Sequence, residues 1–186
     1  MKKFFYTIFK IENDSLPSLK TLSTISFVLL ICSMPLFAFN GGIGEYVREY
    51  VGLIWHFSMF FFIFKLPTPN WGKSAGTYWI ILDVLSGILY INNFYGIAGD
   101  ATLGIATQTG MTLCTAIRLA AHCFEGIWLI SSAFTTNNKT IKICGVVGGV
   151  LLAGYSILSP FVPAWILTLN TPAIIVWFFM IVKGKY

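Results

Sequence analysis

Charge is what this sequence has least of. Seven acidic residues and twelve Lys and Arg make up 10% of its 186 positions, against about 25% in an average soluble domain. With a mean hydropathy of +0.78, that shortage excludes an ordinary water-soluble globule. Cysteine is also sparse. Cys32, Cys114, Cys123 and Cys144 all fall in or beside apolar runs, with no CxxC pair and no spacing suited to zinc, so they read as packing residues. The chain has no phosphate-binding Walker loop, no dinucleotide fingerprint and no HExxH motif. "DVLSG", residues 83–87, has the Ser-Gly of rhomboid proteases but not the glycine two residues before the serine. Internal repeats and low-complexity tracts are lacking too. No cofactor is assigned, and no metal site is expected, although Asp83, His122 and Glu125 are side chains of a kind that hold divalent ions.

Long apolar runs are what remains, at 56% hydrophobic residues. An α-helix needs roughly 20 residues to cross about 30 Å of hydrocarbon, and within lipid only helices or closed barrels satisfy their own backbone. Apolar windows at 21–39, 50–66, 77–96, 111–134, 142–159 and 162–182 predict an all-α, polytopic membrane bundle of about six transmembrane helices. The second window is the shortest. Residues 21–186 form one domain; residues 1–20 pair Lys2 and Lys3 with Phe4, Phe5, Ile8 and Phe9, the pattern of a short amphipathic helix on a membrane surface.

Basic residues alternate with the spans. Lys2, Lys3, Lys10 and Lys20 precede the first, Lys65 and Lys73 separate the second from the third, Lys139 and Lys142 separate the fourth from the fifth, and Lys183 and Lys185 follow the last. The other loops hold only Arg48. By the positive-inside rule both termini are cytoplasmic, in a plasma-type membrane such as a bacterial inner membrane. The net charge of +5 is spread too thinly to serve nucleic acid. The expected partners are the lipid bilayer, a small-molecule or ion ligand, and further membrane subunits.

The fragment "AIRLAAHCFEG", residues 116–126, places Arg118, His122 and Glu125 within an arc of about 60° on a helix turning about 100° per residue. A central arginine costs about 2.5–3.5 kcal/mol on insertion scales, so this stripe must face inward to a partner. Counting about 1.5 Å per residue from the window ends puts His56 near the level of Arg118 and roughly 9 Å from His122, and Asp83 about 15 Å from Arg118. On that count Arg118 pairs outward, with Tyr, Asn or Glu groups near the far surface, and His122 bridges Glu125 and Asp83. Cys114, two turns or about 12 Å from His122, is too far to be its nucleophile.

Three further features concern the backbone and the aromatics. "LTLNTPA" puts Asn170 and Pro172 in mid-span, where the proline leaves the carbonyl of Thr168 without its helical donor; this is a packing kink, as is common in membrane helices, or else a candidate binding site. Gly145 and Gly149 have the GxxxG spacing of close helix contact. Trp55, Trp71, Trp79, Trp165 and Trp177 suit an interfacial aromatic belt. The stretch 92–110, rich in Gly, Ala and Thr, is expected to be an ordinary ordered loop, with a dip back into the membrane or a cap on the outside of the bundle as the alternatives.

Three functions fit these residues. The first is a small solute- or ion-handling membrane protein whose polar cavity is lined by Arg118, His122, Glu125, Asp83, His56 and Asn170. The second is a non-catalytic accessory subunit of a larger membrane complex. The third is an intramembrane enzyme acting on a lipid, with His122 as general base. In size and topology the chain resembles the substrate-binding subunits of energy-coupling-factor vitamin importers.

Overall fold

The computed structural model describes residues 16–38, 42–94, 113–159 and 161–186. Six α-helices follow in order: α1 (Leu19–Ser33), α2 (Gly42–Lys65), α3 (Asn70–Phe94), α4 (Leu113–Ser132), α5 (Lys139–Leu158) and α6 (Asn170–Val182). A 3₁₀ turn, Met34–Ala38, extends α1, and another, Ala164–Leu169, leads into α6. All six segments are long and apolar enough to cross a membrane, and the chain is a multi-pass membrane protein. Most of the expected amphipathic segment 1–20, and nearly all of the 92–110 stretch, lie outside the described residues.

Two helices begin well before their apolar windows. α2 starts at Gly42, eight residues ahead of its window, and with 24 residues is not the shortest. α3 starts at Asn70, seven residues ahead. A helix continues past the hydrocarbon edge wherever its backbone is satisfied, so polar residues there mark the lipid boundary and leave the helix intact. Local side chains do much of that satisfying. Ser18 Oγ accepts from the Thr21 amide at 3.1 Å, and Asn138 Oδ1 accepts from Thr140 and Ile141 at 3.0 and 3.2 Å, which caps α1 and α5. Lys73 Nζ donates to the Phe64 carbonyl at 3.0 Å, meeting an orphan acceptor at the end of α2. Gly184, at φ 69°, takes the left-handed turn that ends α6.

Each helix packs on its sequence neighbours, and α6 packs on α1, so the six close into a ring. Aromatic rings fill its middle. Phe62 of α2 lies 6.1 Å from Trp128 of α4 and 6.0 Å from Trp177 of α6, two helices that α2 does not adjoin. Trp128 stacks on Trp79 at 5.4 Å and meets Trp177 edge-on at 5.4 Å. Trp79 and Trp177 are therefore core residues, 1% and 0% exposed, which corrects their assignment to an interfacial belt. Trp71 and Trp165 remain exposed. The rings pack there with Ile63, Leu129 and Ile181, and each buried aromatic carries about 150–250 Å² of surface.

Small residues set the tightest crossing. A Cβ on Gly126 would sit 2.5 Å from the Gly149 carbonyl oxygen, and one on Gly149 would sit 2.5 Å from that of Gly126. The GxxxG pair Gly145 and Gly149 thus serves contact between α5 and α4 within the chain. On the other side of α4, Gly72 abuts Ser131, and Gly76 abuts Trp128. Glycine is what lets α3 and α5 approach α4 from both sides and hold its polar stripe against α2 and α3.

Candidate functional site

Distances along the helices are best counted from the face that carries Lys65, Lys73, Lys139 and Lys142, here the basic face. At about 1.5 Å per residue, His56, Trp79 and His122 lie about 14 Å from the helix ends at that face. Asp83 and Arg118 lie about 20 Å from it, Glu49 about 24 Å and Glu125 about 10 Å. The ionisable groups of α2, α3 and α4 therefore form a graded column. Arg118 of α4 reaches Glu49 of α2, past α3, so the column runs on the inner side of the ring.

Asp83 is its centre. The carboxylate is 4% exposed and gathers donors from three helices. Oδ2 accepts from Trp79 Nε1 at 2.8 Å, lies 3.0 Å from His56 Nε2 and 3.9 Å from His122 Nε2. Oδ1 lies 3.6 Å from Arg118 Nε. Above it, Arg118 makes a two-pronged bond to Glu49, with Nη1 to Oε1 at 3.2 Å and Nη2 to Oε2 at 2.6 Å. Arg48 Nη2 stands 3.5 Å from the same Glu49 Oε1. Paired charges with further hydrogen bonds are the form in which a bundle interior tolerates ions. Near the level of Glu49, Ser86 Oγ donates to the Cys114 carbonyl at 3.1 Å, tying α3 to α4.

Several expectations are corrected here. Arg118 and Asp83 form a direct contact, because α3 begins at Asn70, seven residues earlier than the apolar window, and that moves Asp83 up to the level of Arg118. His56 and His122 are not offset in effect: both Nε2 atoms address one carboxylate oxygen. Arg118 does pair outward, and its partner is Glu49. His122 approaches Asp83 but makes no hydrogen bond to Glu125. Its Nδ1 is buried without a hydrogen-bond partner, and Glu125, 8% exposed, has none among the described residues. Asn170 is buried but stands apart, at the start of α6, which packs on α5 and α1. There the chain passes from 3₁₀ to α geometry, Pro172 falls in the first turn where no amide is required, and the Asn170 amide meets the carbonyls of Leu167 and Thr168.

Glu49 and Trp79 were not among the site residues read from the sequence, where Trp79 was placed in an aromatic belt. Their signals were present: Glu49 and His56 are two turns apart on one face of α2, and Trp79 precedes Asp83 by four.

The chemistry follows from His56. Its Nδ1 lies 2.7 Å from the Gly52 carbonyl, which can only accept, so Nδ1 carries hydrogen. Its Nε2 faces Asp83, and one proton must occupy that 3.0 Å gap, either on nitrogen as an imidazolium or on oxygen as a carboxylic acid. The pair is a proton store with two positions, and His122 is a second base at the same oxygen. No group of three or more His, Cys, Asp and Glu is arranged to hold a metal ion among the described residues. Two grooves on the bundle, about 360 Å³ beside Ala120 and Ser156 and about 330 Å³ beside Phe57 and Val84, include no residue of the column.

No protein-family model, curated protein or solved structure matches the chain. Fold and site together define a polytopic helical membrane protein with a buried network of acids, bases and arginine.

Proposed function

We propose that this protein handles protons within the membrane, passing them along the column that Asp83 centres. The single observation that carries the reading is the 3.0 Å contact between His56 Nε2 and Asp83 Oδ2, with His122 Nε2 3.9 Å from the same oxygen. Chains of Asp, Glu and His inside a bundle are the usual material of proton relays. The Arg118–Glu49 pair lies on the side away from the basic face, so a proton entering there passes Glu49 and then the guanidinium of Arg118 before it reaches Asp83. Arg118 thereby sets how readily Asp83 gains or loses its proton. The lysine distribution supports a cytoplasmic basic face, and hence a path that runs from outside inward.

Reconstitution tests this. Liposomes loaded with a pH-sensitive dye, and driven by a potassium diffusion potential, acidify when they contain the wild-type chain. Asp83→Asn reduces that flux at least tenfold at equal protein incorporation. Wild-type flux no greater than that of empty liposomes overturns the proposal.

A further inference from the structure

Two polar atoms on the inner side of α4 are buried without a hydrogen-bond partner, His122 Nδ1 and Trp128 Nε1, and between them stands the carboxyl of Glu125, 8% exposed, with no hydrogen bond among the described residues. They are spaced three residues apart and descend from Asp83 towards the basic face. A buried donor or acceptor left unmet costs about 1–3 kcal/mol, and native interiors hold few of them. Three in one row, directly below a proton store, point to a shared role. Glu125 is the one for which the cost is greatest, since an ionised carboxylate there has no cation beside it.

The surroundings of Glu125 sharpen this. From α3 the nearest ionisable group is Asp83, an acid, about 10 Å farther from the basic face by the rise per residue. From α5 the backbone of Gly149 and Ala153 comes against Gly126 and brings no charge; the lysines of α5, Lys139 and Lys142, sit at its basic end. On α4 itself, Arg118 is engaged by Glu49 and Asp83, and His122 turns its Nε2 to Asp83. Among the described residues no cation pairs with Glu125, so a bound monovalent cation would supply the missing charge, and the smallest is a proton.

We infer that Glu125 is a second proton-binding site, the station on the basic side of the relay, loaded through His122. It deepens the reading above and rests on it for direction. The step balances within the chain. Asp83 gives its proton to His122 Nε2, His122 releases the proton on Nδ1 to the Glu125 carboxylate, and the ring is left neutral as the other tautomer. One N–H bond forms and one breaks, one O–H bond passes in effect from Asp83 to Glu125, and nothing is oxidised.

Infrared spectroscopy of the full chain in lipid nanodiscs tests it without any flux measurement. Wild-type protein at neutral pH shows a protonated-carboxyl band that shifts when glutamate carries ¹³C at its side-chain carboxyl. Of the four glutamates, Glu49 is bound by Arg118, and Glu12 and Glu45 lie outside the candidate spans. Glu125→Gln removes the band and Asp83→Asn keeps it. Because the label reads the unaltered protein, a misfolded variant does not stop the test. Absence of a glutamate-shifted band overturns the inference, as does its loss when sodium replaces choline at fixed pH, which would make the bound cation an alkali ion. His122→Phe slows the response of the band to a pH jump at least tenfold; an unchanged rate overturns the route through His122. Flux without the band refutes this site alone, and the band without flux refutes the transport reading alone.

Discussion

Removing Arg118 should harm the bundle more than removing Arg118 and Glu49 together. Glu49 is 6% exposed and takes both of its short bonds from Arg118, at 3.2 and 2.6 Å. Arg118→Met leaves that carboxylate buried with Arg48 as its remaining ion-pair partner among the described residues, at 3.5 Å, and also strips Asp83 of its 3.6 Å contact. Breaking a buried pair from one side costs about 3–5 kcal/mol. The guanidinium is about one-third exposed and Arg48 remains, so the lower end applies, about 3 kcal/mol. At roughly 2–4 °C per kcal/mol for a domain of this size, melting should fall on the order of 10 °C. Glu49→Leu combined with Arg118→Met replaces the pair by apolar groups of similar volume, a change that is often close to neutral. The coupling between the two sites is then about 2 kcal/mol or more, relative to either single change. Tryptophan fluorescence melts of the four proteins of this cycle, in one detergent, read it directly. Additive losses, or a double variant less stable than Arg118→Met, would refute the claim that Glu49 depends on Arg118.

Four other changes follow from the packing and the hydrogen bonds. Gly126→Ala pushes a Cβ to 2.5 Å from a backbone oxygen that cannot turn aside and should cost about 1–3 kcal/mol. Gly154→Ala, with nothing within 4 Å, should be neutral or gain up to about 1 kcal/mol from helix propensity; equal effects in thermal melts would disprove the close crossing. Trp79→Phe keeps the ring stack but deletes the 2.8 Å donor to Asp83, a bond to a charged group worth about 1.5–3 kcal/mol. It should lower both the melting temperature and the proton flux, and loss of neither would count against Asp83 as the centre. Tyr186 donates to the Ser132 carbonyl at 3.0 Å, outside the spans, and burial raises its phenol above the ordinary 10.0, with the Thr135 hydrogen bond opposing. The folded chain then holds that proton longer than the unfolded chain does, so its stability should fall as pH rises above 10, and Tyr186→Phe should flatten that limb of the melting profile.

Much of the architecture was legible because lipid leaves the backbone few choices. Six apolar runs had to be helices, and lysines in every second loop fixed which ends share a face. The stripe of Arg118, His122 and Glu125 was legible for the same reason, since a 100° turn puts positions 118, 122 and 125 on one side whatever surrounds them. What the pattern could not give was the vertical register between helices. Reading a span as beginning at its first apolar residue placed the start of α3 at residue 77, yet Asn70–Gly76 is helical, its glycines packed against Ser131 and Trp128 of α4. Those seven residues are worth about 10 Å of rise, the difference between a lone aspartate and an ion pair. Trp79 was misjudged on similar grounds: tryptophan is common at membrane surfaces, and hydropathy does not say whether an indole faces headgroups or the centre of a ring of helices. The cue that decides it is the carboxylate four residues on. A tryptophan one turn from a buried aspartate has a partner for its N–H, and a buried aspartate needs such donors. Register, and with it the site, is set by which polar groups must find each other, a constraint that apolar windows do not contain.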